Sequence, residues 1–271
     1  MEVVILDEAQ EIAKKGATLV AELVAKKPHS VLGLATGGTP VQLYKHLIAL
    51  YQQGQISFNQ VQSFNLDEYL GIASSNPLSY RHFMNSCFFE HIDVKLENTH
   101  LPDCSPANPR EEGPRYEQQI KAAGGIDLQI LGIGSNGHIG FNEPSSSLAS
   151  RTRIKTLAQS TIEDNSKLLK PGEFQPHLAI TMGIGTILEA RRILLLALGE
   201  HKAEAVQAAI EGPVTAMCPA SALQLHPHVT VVSDAAAASQ LELADYYRWV
   251  YRENEELKKE YGNFYELDIY G

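Results

Sequence analysis

Cations are scarce in this chain of 271 residues: 22 lysines and arginines stand against 32 aspartates and glutamates, a formal net charge of −10. That deficit argues against nucleic acid or an anionic membrane as the main partner. Any anion the protein binds must be held by local cations or backbone amides, against the general field. Cysteine is sparse too. Cys87, Cys104 and Cys218 are three in number and follow no metal-type spacing, which reads as reduced thiols in a cytosol. No apolar run approaches the length of a bilayer span. The opening MEVVILDEAQ has neither a basic leader nor a signal-like apolar stretch, so the expectation is a soluble, cytoplasmic protein. There is no internal repeat and no low-complexity linker.

What is present is a set of short apolar runs: VVIL (3–6), VLGLA (31–35), VQSFNL (61–66), IDLQILGIG (126–134), HLAITMG (177–183), RRILLLALG (191–199) and VTVVSD (229–234). Segments of helical periodicity, such as VQLYKHLIALYQQ and AEAVQAAIEG, lie between most of them. Continuous apolar strands are buried on both faces, as in a parallel sheet covered by helices. The alternation predicts a wound α/β fold in one domain over residues 1–271, with a tail from about 236. The Pro-rich stretch LPDCSPANPREEGP (101–114) reads as a surface excursion.

Ligands in such sheets bind beyond the carboxyl ends of the strands, and four of those ends are unusual. In ATGGTP (35–40), Gly37 and Gly38 follow a strand, with Thr39 suited to an N-cap and Pro40 to the first helical position. A glycine turn into a helix is a phosphate cradle, and equally a plain tight turn. In FNLDEYLG (64–71), Asp67 and Glu68 follow a strand, and extended geometry sends them to opposite sides; a helix cap or exposed turn is the alternative. GIGSNGHIGFNEP (132–144) carries His138 and Glu143, a carboxylate able to orient an imidazole, unless the histidine is structural. In LGEHKAEAV (198–206), Lys202 falls at a helix start, where a cation opposes the dipole unless an anion intervenes. Off the strand ends, SRTRIKTL (150–157) read as a strand puts Arg151, Arg153 and Lys155 on one face. Such a face wants an anion, or it is an edge blunted by charge.

Together TGGTP, FNLDEY, GSNGHIGFNEP, SSLASRTRIKTL, LGEHKAEAV and ALQLHPHVTVV, in order from about residue 30 to 235, resemble the glucosamine-6-phosphate deaminases. The resemblance implies a modified Rossmann-like three-layer α/β sandwich with a mainly parallel central sheet. It also implies a cofactor-independent, metal-independent conversion of D-glucosamine 6-phosphate to D-fructose 6-phosphate and ammonium. Asp67 resembles the base that moves the C2 proton to C1, a role suited to a single carboxylate. His138 resembles the residue that opens the sugar ring, with Glu143 its orienting partner. Asn136 stands where some members carry aspartate, and asparagine takes no proton at physiological pH; activity is expected, with Glu143 alone tuning His138. Gly37, Gly38, Thr39, Gly137 and Lys202 match substrate and phosphate contacts. Lys167 replaces an arginine of some relatives and loses its bidentate fork. Ser146, Ser147, Arg153, Lys155 and Thr156 match a site for the activator N-acetylglucosamine 6-phosphate, between subunits of a homo-oligomer that is a hexamer in some members.

Three other readings stand beside this one. A galactosamine-6-phosphate deaminase differs in one hydroxyl of its substrate. A 6-phosphogluconolactonase shares the glycine turn but leaves FNLDEY unexplained. A non-catalytic phosphosugar sensor makes Asn136 a mark of lost chemistry.

Overall fold

A computed structural model describes residues 1–157, 159, 162 and 175–261. Each apolar run becomes a strand. Among the described residues the strands, three of them outside those runs, are β1 (Glu2–Leu6), β2 (Val31–Leu34), β3 (Gln62–Asn65), β4 (Asp67–Tyr69), β5 (Thr99–His100), β6 (Leu128–Gly132), β7 (Arg153–Thr156), β8 (Leu178–Thr181), β9 (Ile193–Ala197) and β10 (Val229–Asp234). The helices are α1 (Ala9–Lys26), α2 (Gly38–Gln52), α3 (Tyr80–Cys87), α4 (Pro109–Ala122), α5 (Ile184–Leu188), α6 (Ala203–Ile210) and α7 (Ala244–Tyr261).

Seven strands form a parallel sheet in the order β1-β10-β9-β6-β2-β3-β5. Successive side chains alternate between two cores. Val3, Ile5, Leu131, Leu195 and Val231 enter one with Tyr116 of α4 and Val206 of α6. Val4, Leu32, Ile130, Leu194 and Val232 enter the other with Val20 of α1 and Leu47 of α2. Burial on both faces is why these strands read as unbroken apolar runs. The result is the expected three-layer α/β sandwich.

Two expectations change. HLAITMG does form a strand, but β8 belongs to a separate antiparallel sheet, β4-β8-β7, rather than the parallel one. The stretch 101–114 is only half excursion, because α4 begins inside it. Asn108 accepts from the Arg110 N–H at 3.2 Å, Pro109 takes the first helical position, and Glu111 and Glu112 occupy the first turn. Pro114 lies within that helix without ending it.

The sheet also fixes where a ligand goes. β2 and β6 are neighbours, yet the next strand of the sheet after β2 is β3, on one side, and after β6 is β9, on the other. That is a topological switch point, and the crevice beyond the carboxyl ends there is the natural binding place. At the opposite, amino ends, the buried Asp127 accepts from Lys27 Nζ at 2.8 Å, the Val31 N–H at 2.8 Å and Arg191 Nη1 at 3.1 Å, and so pins the starts of β2, β6 and β9 together.

Candidate active site

Just past β3 the chain leaves the parallel sheet through Leu66, whose N–H donates to Leu34 O at 3.0 Å. It then enters β4, where Asp67 pairs with Thr181 and Glu68 with Ile180. The extended backbone sends the two acids to different partners, as expected. Glu68 turns to the start of α3, where its carboxylate accepts from Ser79 Oγ and the N–H groups of Tyr69, Tyr80 and Arg81 at 2.8–3.0 Å. It is a helix anchor. Asp67 turns the other way, is 5% exposed, and accepts from Thr181 Oγ1 at 3.4 Å. Burial pushes its carboxyl up to about 7, with the nearby charge of Glu68 adding to the rise. The Phe141 N–H and the Thr181 hydroxyl pull in the opposite direction. A carboxylate balanced near neutral pH suits a general base.

The loop after β6 comes to meet it. A Cβ on Gly140 would lie 3.3 Å from Asp67 Oδ2 and 3.1 Å from Thr181 Oγ1, so only glycine lets the chain pass this close to the carboxylate without displacing it. The Phe141 N–H, next along, donates to Thr181 Oγ1 at 3.2 Å. Three residues of this loop form a compact polar group. Asn136 Nδ2 donates to Glu143 Oε2 at 2.7 Å, and His138 Nδ1 lies 2.7 Å from Asn136 Oδ1 and 3.4 Å from Glu143 Oε1. Asn136 Oδ1 accepts from the His138 backbone N–H as well, at 3.2 Å. Since Glu143 only accepts, the amide nitrogen of Asn136 must face it and the amide oxygen must face the imidazole. Nδ1 then carries the proton, leaving Nε2 as the basic nitrogen. The hydrogen bond from His138, followed by that from Asn136, holds the Glu143 carboxyl below the usual carboxylate range despite partial burial. Glu143 therefore does not act alone on His138: Asn136 is the nearer acceptor and also orients Glu143.

The glycine turn lies at the adjacent strand end. α2 starts at Gly38, with Gly37 as N-cap at φ 109°, so Thr39 and Pro40 lie inside the helix rather than at its cap and first position. Glycine alone reaches that φ without strain, which moves the start forward. A Cβ on Gly37 or Gly38 would have no heavy atom within 4 Å, so the turn faces open space. Pro40 has no N–H, and the free amides of this helix end are those of Gly37, Gly38 and Thr39. Gly137 packs against Cys218 and accepts from the Ala220 N–H at 2.9 Å through its carbonyl, tying the His138 loop to the 3-10 turn at Pro219–Leu225. Lys202 closes a 3-10 turn, Glu200–Lys202, just ahead of α6 instead of within it. It is half-buried, and that burial lowers its ammonium pKa; none of the ion pairs among the described residues includes it. Lys167 lies outside the described residues.

The one-faced cation strand separates into two parts. Arg151 precedes β7 and is committed to Glu117 of α4 and to Glu189 at 2.5 Å. Arg153, inside β7, instead donates to Asn142 Oδ1 at 2.9 Å. Lys155 is close enough to Glu143 to favour its ionised form. Ser146 is buried, and its N–H donates to Glu143 O at 3.0 Å; Ser147 O accepts from the Ser150 N–H at 3.0 Å. Thr156 is exposed at the end of β7. Among the described residues no group of three or more His, Cys, Asp or Glu side chains is arranged to hold a metal ion. Nor is any helix there long and apolar enough to cross a membrane.

Known proteins share this arrangement of sequence and fold. The model of the family described as glucosamine-6-phosphate isomerases/6-phosphogluconolactonase matches residues 7–232. The chain is 60% identical over 253 residues to a glucosamine-6-phosphate deaminase of Hahella chejuensis, covering 93% of this chain and 97% of that one. It is 56% identical over 266 residues to one of Colwellia psychrerythraea, covering 98% and 99%. Among solved structures, a monomeric glucosamine-6-phosphate deaminase, called a missing link of the NagB superfamily, superposes with a TM-score of 0.84 at 45% identity. The match covers 88% of this chain and 99% of that one. A 6-phosphogluconolactonase from Trypanosoma cruzi has a TM-score of 0.70 at 18% identity, covering 89% of this chain and 97% of that one, a likeness of fold alone.

Proposed function

Because this chain belongs to the family of glucosamine-6-phosphate isomerases and 6-phosphogluconolactonases, we propose that its strand-end crevice takes a phosphosugar between Asp67 and the Asn136–His138–Glu143 group. The reaction is the conversion of D-glucosamine 6-phosphate and water to D-fructose 6-phosphate and ammonium. It is an aldose–ketose shift followed by loss of the amine. His138 Nε2 takes the anomeric hydroxyl proton and returns it to the ring oxygen as the ring opens. Asn136 and Glu143 keep Nδ1 protonated and the imidazole aimed. Asp67 removes the C2 proton and delivers it to C1 on the same face, leaving a C2 imine. Water adds to that imine, and ammonia departs as the C2 ketone forms. Gly37, Gly38, Thr39 and Lys202 hold the phosphate, with Gly137 at the sugar and Lys167 a further cation.

One observation carries this reading. The four residues Gly140 to Glu143 contact Asp67 at one end and His138 at the other, so the base and the ring-opening group share a single short brace. A lactonase needs only a base for water and gives no reason for a carboxylate balanced near pH 7 beside such a group. The test is purified protein with glucosamine 6-phosphate, and coupled detection of ammonia and fructose 6-phosphate. Galactosamine 6-phosphate and 6-phosphogluconolactone run in parallel. Binding of phosphosugar without ammonia release would defeat the reading.

The activator site is proposed at Ser146, Ser147, Arg153, Lys155 and Thr156. The buried Ser146 Oγ, which has no hydrogen-bond partner among the described residues, supports it. So does the closeness of Lys155 to Glu143. N-acetylglucosamine 6-phosphate should lower the apparent KM; an unchanged saturation curve removes the site. A homo-oligomer in the cytoplasm is the accompanying proposal, supported by the exposed Leu243, Tyr246 and Trp249 at and before α7. A single monomeric species in sedimentation would overturn the oligomer.

A further inference from the structure

The two halves of this site come from distant parts of the chain, and a proton moved by one must follow a ring opened by the other. Their separation therefore has to be set by something rigid. Asp67 sits on β4, while Asn136, His138 and Glu143 sit on the loop after β6. Between them lies Asn142, with no exposed surface. It carries no charge and faces no open space, yet every polar group of its side chain is used.

Its two N–H bonds go to backbone carbonyls, Ile139 O at 2.9 Å and Met182 O at 2.8 Å. Ile139 follows His138 directly, so the first bond closes the tight turn that places Glu143 opposite the imidazole; the backbone N–H of Asn142 returns to the same carbonyl at 3.2 Å. Met182 follows Thr181, and its own N–H donates to Leu66 O at 2.7 Å, one residue before Asp67. The second bond therefore fastens the loop to the backbone that carries the base. The remaining acceptor, Oδ1, takes Arg153 Nη1 at 2.9 Å, and the same nitrogen lies 3.2 Å from Arg151 O. Each neighbour of Asn142 in sequence holds one half of the site: Phe141 through its N–H at Thr181 and Asp67, Glu143 at His138.

We propose that Asn142 is the positioning residue that sets the distance and orientation of Asp67 relative to the Asn136–His138–Glu143 group, with the Arg153 guanidinium as its clamp. This rests on the deaminase reading above. No isosteric acid can replace it, because aspartate would aim an oxygen lone pair at two carbonyl oxygens. Lysine at 153 still offers a donor to Oδ1, whereas methionine leaves that oxygen buried without one.

The test uses the full-length protein carrying Asn142→Asp, Arg153→Met and Arg153→Lys. kcat, KM, the pH profile of kcat/KM and thermal midpoints are measured. Ammonia release by the wild-type chain separately decides the deaminase reading. In Asn142→Asp, kcat should fall about 10- to 100-fold, the scale of a displacement of order an ångström. KM should stay within about twofold, since the phosphate contacts lie on other loops. Loosening the Phe141 N–H from Asp67 should also move the acid limb of kcat/KM to higher pH, a shift that general destabilisation does not produce. Measured without N-acetylglucosamine 6-phosphate, Arg153→Met should follow in the same direction, and Arg153→Lys should fall less far than Arg153→Met. Wild-type kcat with an unmoved limb in folded Asn142→Asp would overturn the proposal, as would a lowered kcat with an unmoved limb. If that variant does not fold, Arg153→Met decides by the same two readouts. A crystal structure of either variant with Phe141 and Glu143 undisplaced would overturn it as well.

Discussion

Asn136 makes two hydrogen bonds of 2.7 Å, one from its amide nitrogen to Glu143 and one between its amide oxygen and His138 Nδ1. Asparagine serves here because the two faces of an amide differ: one donates to a carboxylate while the other accepts from an imidazole. Asn136→Ala should slow ring opening and lower kcat by roughly 10-fold or more, the usual range for a positioned acid–base group. Asn136→Asp should keep the acceptor for Nδ1 but set two carboxylates against each other, so that one takes up a proton. Its rate profile should gain an ionisation on the acid side that the wild type lacks. Stopped-flow measurement of ring opening, alongside steady-state profiles, separates the two variants.

Asp67 is raised from 3.8 to about 7 by burial first and by Glu68 second. In the unfolded chain it loses its proton near 3.8, while in the folded chain it keeps it until about 7. Stability contributed by the neutral form is thus whole at the acid end and lost as pH rises across that window. Asp67→Asn should abolish C2 proton exchange and also stabilise the fold. The gain in thermal midpoint over wild type should grow between pH 4 and 7, on the order of a few kcal/mol at its plateau. Equal midpoints at pH 8 would contradict the burial of an ionised group.

Glu68→Gln removes the neighbouring charge that helps raise Asp67 and weakens the anchor at the start of α3. The two effects have separate readouts. The acid limb of kcat/KM should move to lower pH, opposite to the Asn142 variants. The thermal midpoint should drop in line with a lost helix cap, about 1 kcal/mol.

Lys202→Met should raise KM for the phosphosugar about 10- to 100-fold, the equivalent of one charge-assisted hydrogen bond. kcat should change little, since the groups proposed to transfer protons lie on β4 and the loop after β6. Lys202→Arg should recover most of the affinity. A KM that is unchanged and equally salt-sensitive in Lys202→Met would take this lysine out of the phosphate site.

The strands were legible because burial on both faces leaves a plain record of consecutive apolar residues, as in RRILLLALG. Their partners were not. HLAITMG is as apolar as the others, and nothing local distinguishes the antiparallel β8 from a member of the parallel sheet. The candidate site stood out in the sequence where it carries charge or glycine: Asp67, His138, Glu143 and the Gly37–Gly38 turn. The opposite orientations of Asp67 and Glu68 followed from extended geometry alone. Asn142 went unread although it lies within the conspicuous loop, because a neutral amide at a buried position shows itself only through its partners, and Met182 and Arg153 are 40 and 11 residues away. Arg151 was grouped with Arg153 by period-two spacing, but β7 starts at Arg153, and Glu117 and Glu189 draw Arg151 elsewhere.

The placement of β1 has a consequence for how the chain is made. Among the described residues its only neighbour in the sheet is β10, with Glu2 opposite Thr230 and Leu6 opposite Asp234. During synthesis β1 therefore waits unpaired until β10, more than 220 residues later, has been made. Parallel pairing across such a sequence distance is slow to nucleate. A chain cut short before residue 229 leaves β1 without its seat and an apolar edge exposed to aggregation.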